Sequence, residues 1–132
     1  MSTDLSENLI RSEVRMRQIR DFNGLRFGKI SPTDIDCFLD FQASLFVFIE
    51  TKHINATVPL GQRLALERIC DACQSGKVDS WVLIATHETD GDIDVATTIV
   101  SEFRHHGHWR KPRERITTRS AIDAILVSDV WW

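Results

Sequence analysis

The chain has no apolar run approaching the ~18 residues of a membrane span, and its first residues lack the basic-then-apolar pattern of a secretory leader. The expectation is a cytoplasmic protein with no membrane partner. Cysteine is scarce: three residues, an odd number without a paired spacing scheme, which speaks against a disulfide framework and fits a reducing compartment. Cys70-Asp71-Ala72-Cys73 has no second C-x-x-C or H-x-x-x-H to complete a four-ligand zinc site. A redox role would want that motif at a helix start, and here it falls at a helix end. Positive charge is not in excess either. The net charge is −3, so any nucleic-acid role must come from local clustering of basic residues. What remains is an ordinary apolar fraction over 132 residues, which suits a single domain spanning 1–132 with one real core.

One stretch carries the chemistry. Residues 31–41 and 45–53 are both strand-like, rich in Phe, Ile and Val, and Gln42-Ala43-Ser44 between them is short and polar. This pattern predicts a β-hairpin in which Phe41 faces Leu45. Pairing outward in step sets Asp36 opposite Glu50 and Asp34 opposite Lys52, all on one face of the sheet. Directly opposed side chains have Cβ atoms roughly 4.5–5.5 Å apart, and like charges there are destabilising. Two carboxylates held so close call for a cation. Carboxylates with waters and a substrate phosphate are the usual way a protein holds magnesium. A lysine on the same face would stand at the edge of that site, where it can act on an attacking water or on developing phosphate charge. The bland alternative is a surface hairpin with an ordinary ion pair of about 0–1 kcal/mol. It leaves the opposition of Asp36 and Glu50 unexplained.

An Asp on one strand followed after a hairpin by Glu50-Thr51-Lys52 resembles the PD-(D/E)xK nuclease superfamily. The likeness is nearest to its virus-type replication-repair nucleases and its Holliday-junction-resolvase-like members. It extends through Pro59-Leu60-Gly61-Gln62-Arg63, which opens a helix as the Gln-bearing helix does there, and covers about residues 30–87. The resemblance implies an α/β fold with a restriction-endonuclease-like core, a mixed β-sheet flanked by helices in the order αβββαβ. A basic C-terminal extension and a terminal helix would follow. It implies Mg2+ or Mn2+ held by Asp36, Glu50 and the backbone carbonyl of Thr51, with Lys52 acting on the water and Gln62 assisting. The segment Pro32-Thr33-Asp34-Ile35-Asp36 departs from a plain Pro-Asp, which leaves open which aspartate is the main ligand. Register favours Asp36, with Asp34 auxiliary. Some members carry a metal-site glutamate on the first helix, so Glu13 is a further auxiliary candidate.

The rest of the chain fits around this hairpin. Residues 4–20 have helical spacing of Leu5, Leu9, Met16 and Ile19. The helical spacing itself favours Glu13 as a solvent-facing partner for Arg17. Leu25–Ile30 suggests a first strand after the turn signal Asn23-Gly24. The hairpin strands are apolar on both faces, as strands in the middle of a helix-covered sheet are. A helix over 58–74, capped by Thr57, buries Leu66, Ile69, Cys70 and Cys73. It sets Gln62 one turn earlier, either at the acid cluster or on loop backbone. Trp81–His87 follows as a strand parallel to the second hairpin strand. Residues 93–103 suggest an edge strand. Arg104, Trp109, Arg110, Lys111, Arg113 and Arg115 then form the most basic segment, with an exposed Trp, suited to phosphates and a stacked base. Three histidines lie in that segment, but the spacing of His105, His106 and His108 does not converge easily on a metal. A last helix begins near Thr118, and Trp131-Trp132 suggests packing on the domain or on a partner subunit.

The expected function is therefore a magnesium-dependent endonuclease acting on nucleic acid, DNA more than RNA, on branched or nicked duplex. Cutting two strands needs two sites, which implies a homodimer, and the resemblance suggests a phage-like origin. The alternative is a non-catalytic nuclease-fold module that binds nucleic acid or inhibits a host protein.

Overall fold

The computed structural model describes residues 18–132. The candidate Glu13 and most of the helix expected over 4–20 lie outside the described residues, and 18–20 carry no helix. The chain divides into two units, residues 1–32 and 33–132. In the described part of the first, a single 3-10 turn covers Asn23–Leu25, and Phe27 and Ile30 pair through backbone bonds of 2.9 and 3.0 Å. The strand expected over Leu25–Ile30 is absent. Gly28 takes a φ of +63°, a left-handed conformation that folds the chain straight back on itself.

The second unit is a five-stranded mixed sheet with two helices. The strands β1 (Cys37–Asp40), β2 (Leu45–His53), β3 (Asp79–His87), β4 (Ile99–His105) and β5 (His108–Arg110) lie side by side in sequence order. Only β2 and β3 are parallel, joined by helix α1 (Leu60–Ser75); every other neighbouring pair is antiparallel. Helix α2 (Thr118–Leu126) closes the chain, its first turn capped by the Thr117 hydroxyl, which accepts the Ser120 N–H.

Side-chain alternation divides the core between the two faces. Phe48, Val82 and Ile84 pack with Leu66 and Cys70 of α1. Val47, Ile49, Trp81, Leu83, Val100 and Phe103 pack with Ala121, Ile122 and Ile125 of α2 and with Trp131. Val100 and Phe103 share a face although three apart, because the register with β3 slips between Ile84 and Ala85. The bulge falls at Ser101, whose hydroxyl donates to the Ile84 carbonyl at 3.1 Å.

The hairpin has the expected register. Phe41 N–H donates to Leu45 O at 2.9 Å, and Cys37, Phe38 and Leu39 face Ile49, Phe48 and Val47. Its loop carries no glycine, yet Gln42 and Ala43 both take positive φ. Asp40 holds them there by accepting the Ala43 N–H at 2.7 Å. Two expectations are corrected. First, β1 is the sheet edge and not its middle, so Phe38 is exposed, stacked on Phe48 and edge-to-face with Phe46. Second, the residues just after β4 form a further strand, β5, while Lys111, Arg113 and Arg115 follow it in irregular chain. His106 and Gly107 adopt positive φ and turn the chain into β5, so β4 is not an edge. Helix α1 starts at Leu60 with Pro59 at its N-cap position and no side-chain cap, where Thr57 was expected to serve. Ile69 is more exposed than the expected stripe required.

Candidate active site

Asp36 sits one step beyond the Cys37–Ile49 pair, which places it across from Glu50 as the register requires. Its Oδ2 accepts two hydrogen bonds from Thr51, from the backbone N–H at 2.9 Å and the hydroxyl at 3.1 Å. Glu50 lies on the α1 face of the central strand pair and is 2% exposed. Its Oε1 meets the Lys52 ammonium at 3.2 Å. Its Oε2 is buried and finds no hydrogen-bond partner among the described residues. A buried polar atom in that condition costs on the order of 1–3 kcal/mol, more when charged. Burial pushes the Glu50 carboxyl above its ordinary range, and the charge of Asp36 pushes it further; Lys52 opposes both, and so does the nearby Gln62 amide, which stays outside hydrogen-bond geometry with Oε2.

Gln62, in the first turn of α1, joins the cluster to the strand before the hairpin. Its Oε1 accepts from Lys52 Nζ at 3.4 Å, and its Nε2 donates to the Asp34 carbonyl at 3.2 Å. One amide thus meets both the Lys52 ammonium at the cluster and the backbone of the segment before the hairpin. Asp34 enters through its backbone, while its side chain is on an exposed segment. Thr51 enters through its N–H and hydroxyl, which steady Asp36. Asp36, Glu50, Lys52 and Gln62 therefore come together. Hard carboxylate oxygens, one of them buried without a partner, are a donor set that suits a divalent cation of the magnesium type.

The basic residues separate. Arg104 forks onto Asp71 at 2.9 and 2.7 Å and approaches Glu67 at 3.9 Å, its side chain only 12% exposed. Trp109 is half-buried, not exposed: its indole N–H donates to Glu67, and the Arg63 guanidinium lies 4.1 Å above its ring. Arg63 in turn forks onto Glu102. Both Arg104 and Trp109 are thus engaged in fastening α1 to β4 and β5. Arg110, Lys111, Arg113 and Arg115 remain exposed. Arg115 also lines a cavity of about 530 Å³ at the end of β3, with Thr86, His87, Asp92 and Asp94. Thr86 is the neighbour of Lys52 across the sheet. Cys70 is buried on α1 with its thiol pushed up to about 12 by desolvation first and by Asp71 next. That makes it a core residue and not a nucleophile.

Comparison with protein families, with curated proteins and with solved structures yields no match. The α/β fold with its mixed sheet and the absence, among the described residues, of a helix long and apolar enough to cross a membrane stand on the structure alone.

Proposed function

We propose that this chain is a metal-dependent nuclease of the PD-(D/E)xK type, hydrolysing phosphodiester bonds in nucleic acid, DNA more than RNA. The observation that carries the reading is the buried, unpartnered Oε2 of Glu50 beside Asp36. Asp36 and Glu50 would hold Mg2+ or Mn2+, with the Thr51 carbonyl as a further oxygen. When bound, the ion supplies a polarised phosphate and a more acidic water. Asp36 is held ready by the two Thr51 donors. Lys52 is fixed between Glu50 and Gln62, where its ammonium can stabilise charge developing on a phosphate oxygen. Gln62 ties that ammonium to the segment leading into β1. Arg110, Lys111, Arg113 and Arg115 supply exposed charge for the phosphate backbone. Cutting both strands of a duplex calls for two copies of the site, hence a homodimer.

One observation favours the competing reading of a non-catalytic binding module: the Lys52–Glu50 pair at 3.2 Å already neutralises one acid. It leaves Oε2 and Asp36 without explanation. The experiment is incubation of the purified protein with plasmid, branched DNA and RNA, in magnesium or manganese and then in chelator. Metal-dependent cutting that Lys52→Ala removes is the expected result. No cutting of any substrate, or cutting that survives Lys52→Ala, sinks the proposal.

A further inference from the structure

A different cluster gathers at the start of β3. Asp79, the neighbour of Leu45 across the sheet, lies five positions before Ile84, the neighbour of Glu50. Its Oδ1 is 2.7 Å from the Nε2 of His105, and its Oδ2 accepts the Trp81 indole N–H at 3.3 Å. The His105 ring stacks on Trp81 with centroids 3.7 Å apart, which fixes its plane, and its side chain is 15% exposed. Successive residues of a strand point to opposite faces, so the sequence spacing argues against His105 and His106 meeting. His106 escapes that rule. Its φ of +49° takes it out of strand geometry at the β4–β5 turn, and its ring comes to 3.8 Å from that of His105. One ligand atom from each of Asp79, His105 and His106 lies within 4.8 Å of the others.

We propose that Asp79, His105 and His106 form a binding site for a divalent transition ion of the zinc class, separate from the acid hairpin. Two imidazoles and one carboxylate are borderline ligands that suit zinc, cobalt, nickel or copper, unlike the all-oxygen set of Asp36 and Glu50. An ion with bonds of roughly 2.0–2.2 Å needs donors somewhat farther apart than the present His105–Asp79 contact. With the His105 ring held by Trp81, a rotation of the more exposed Asp79 carboxylate would provide that spacing. The ion takes the place of the hydrogen between Nε2 and Oδ1, and the neutral imidazole keeps its hydrogen on Nδ1. Three protein ligands leave a fourth position open to water or to a partner's side chain. His106 is exposed, so the site is reachable from solvent.

The test uses Co2+ as probe, with Zn2+ as competitor, on the metal-free full chain. Binding is followed by visible absorption and by quenching of tryptophan emission, since Trp81 touches a ligand ring. One equivalent of Co2+ with the absorption of a four-coordinate ion is expected, displaced by Zn2+. His106→Ala, at an exposed position, is expected to weaken binding about tenfold or more. His108→Ala, on the other arm of the turn, and Glu50→Gln are expected to leave it unchanged. No Co2+ binding, or affinity unchanged in His106→Ala, overturns the site and leaves the Asp79–His105 contact as a latch. Loss of binding in Glu50→Gln, with none in His106→Ala, places the ion at the acid hairpin and overturns it equally.

Discussion

Two polar clusters share the α1 face of the sheet and treat charge in opposite ways. Around Trp109, the charges are matched: Arg63 with Glu102, Arg104 with Asp71, and Glu67 with the indole N–H and Arg104. Around Glu50, two acids meet one lysine, and a carboxylate oxygen is buried with no partner among the described residues. The first pattern is what a fold does to attach a helix to a sheet through polar side chains. The second costs stability, and nothing in the packing of α1 calls for it. On the proposed reading, the difference separates a structural polar network from a site that takes a ligand.

The comparison breaks most visibly at Lys52 and Glu50. Lys52→Ala is expected to lower the metal-dependent cutting rate about 100-fold or more, the range for removing one group that stabilises transition-state charge. Glu50→Gln is expected to abolish cutting as well, and also to remove the rise in melting temperature that Mg2+ gives the parent chain. Cutting assays with thermal melts in magnesium and in chelator check both. A Glu50→Gln variant that still gains stability from Mg2+ would put the ion elsewhere.

The matched cluster should respond in the opposite sense. Arg104→Ala leaves Asp71 without its fork and Glu67 with less charge compensation. It is expected to cost about 1–3 kcal/mol of stability in denaturant unfolding, given hydrogen bonds to charged groups at a largely buried guanidinium. The metal-dependent rate of the folded variant should match that of the parent. A large loss of cutting, with stability intact, would move Arg104 back into the substrate path, where sequence had placed it.

The hairpin and α1 were legible because their information is local. A period of two, a three-residue connector and apolar arms set which acids oppose each other, and the Phe41–Leu45 bond follows from the loop length. The partners of Arg104 and Trp109 were not legible. Asp71 and Glu67 lie 33 and 42 residues away from them, and no pattern within one element announces such pairs. A basic run with one Trp looks like a nucleic-acid surface until its carboxylates arrive from another element. The strand expected at Leu25–Ile30 gave way to the 3-10 turn ending at Leu25 and to the left-handed Gly28, and the meeting of His105 with His106 turned on one left-handed residue. Trp131 was readable only as a packing residue; the sheet makes it core, 2% exposed, its N–H on the Ala121 carbonyl at 3.0 Å.

The two clusters should also differ in pH dependence. Burial and Asp36 raise the Glu50 pKa in the folded chain above its ordinary value of 4.5. The folded state therefore holds that proton more tightly than the unfolded chain. Its stabilising contribution is complete below about pH 4.5 and is lost as pH rises through the raised value. Metal-free protein is thus expected to lose stability from this group on passing to neutral pH, a loss that Mg2+ offsets and Glu50→Gln removes. Asp71 behaves in reverse. Its hydrogen bonds to Arg104 hold its pKa below 3.8, so its contribution is present above that pH and is lost as pH falls through the lowered value. Urea midpoints across pH 3–8 for the parent, Glu50→Gln and Arg104→Ala separate the two slopes.

The smallest expected effect is at Trp109, and it tests whether the matched cluster acts through charge or through area. Trp109→Phe keeps a ring beneath Arg63 but removes the indole N–H from Glu67. A neutral donor to a carboxylate on a half-buried surface contributes about 1 kcal/mol, and Phe is a weaker partner than Trp for a guanidinium. A loss of about 1 kcal/mol with unchanged cutting is the expected outcome in urea unfolding and in the plasmid assay. Glu67→Gln should give a similar loss, because an amide oxygen still accepts the indole N–H while the attraction to Arg104 is gone. If Trp109→Phe weakens DNA affinity and leaves stability untouched, the ring serves a base and not the helix, and the division between the two clusters fails at that residue.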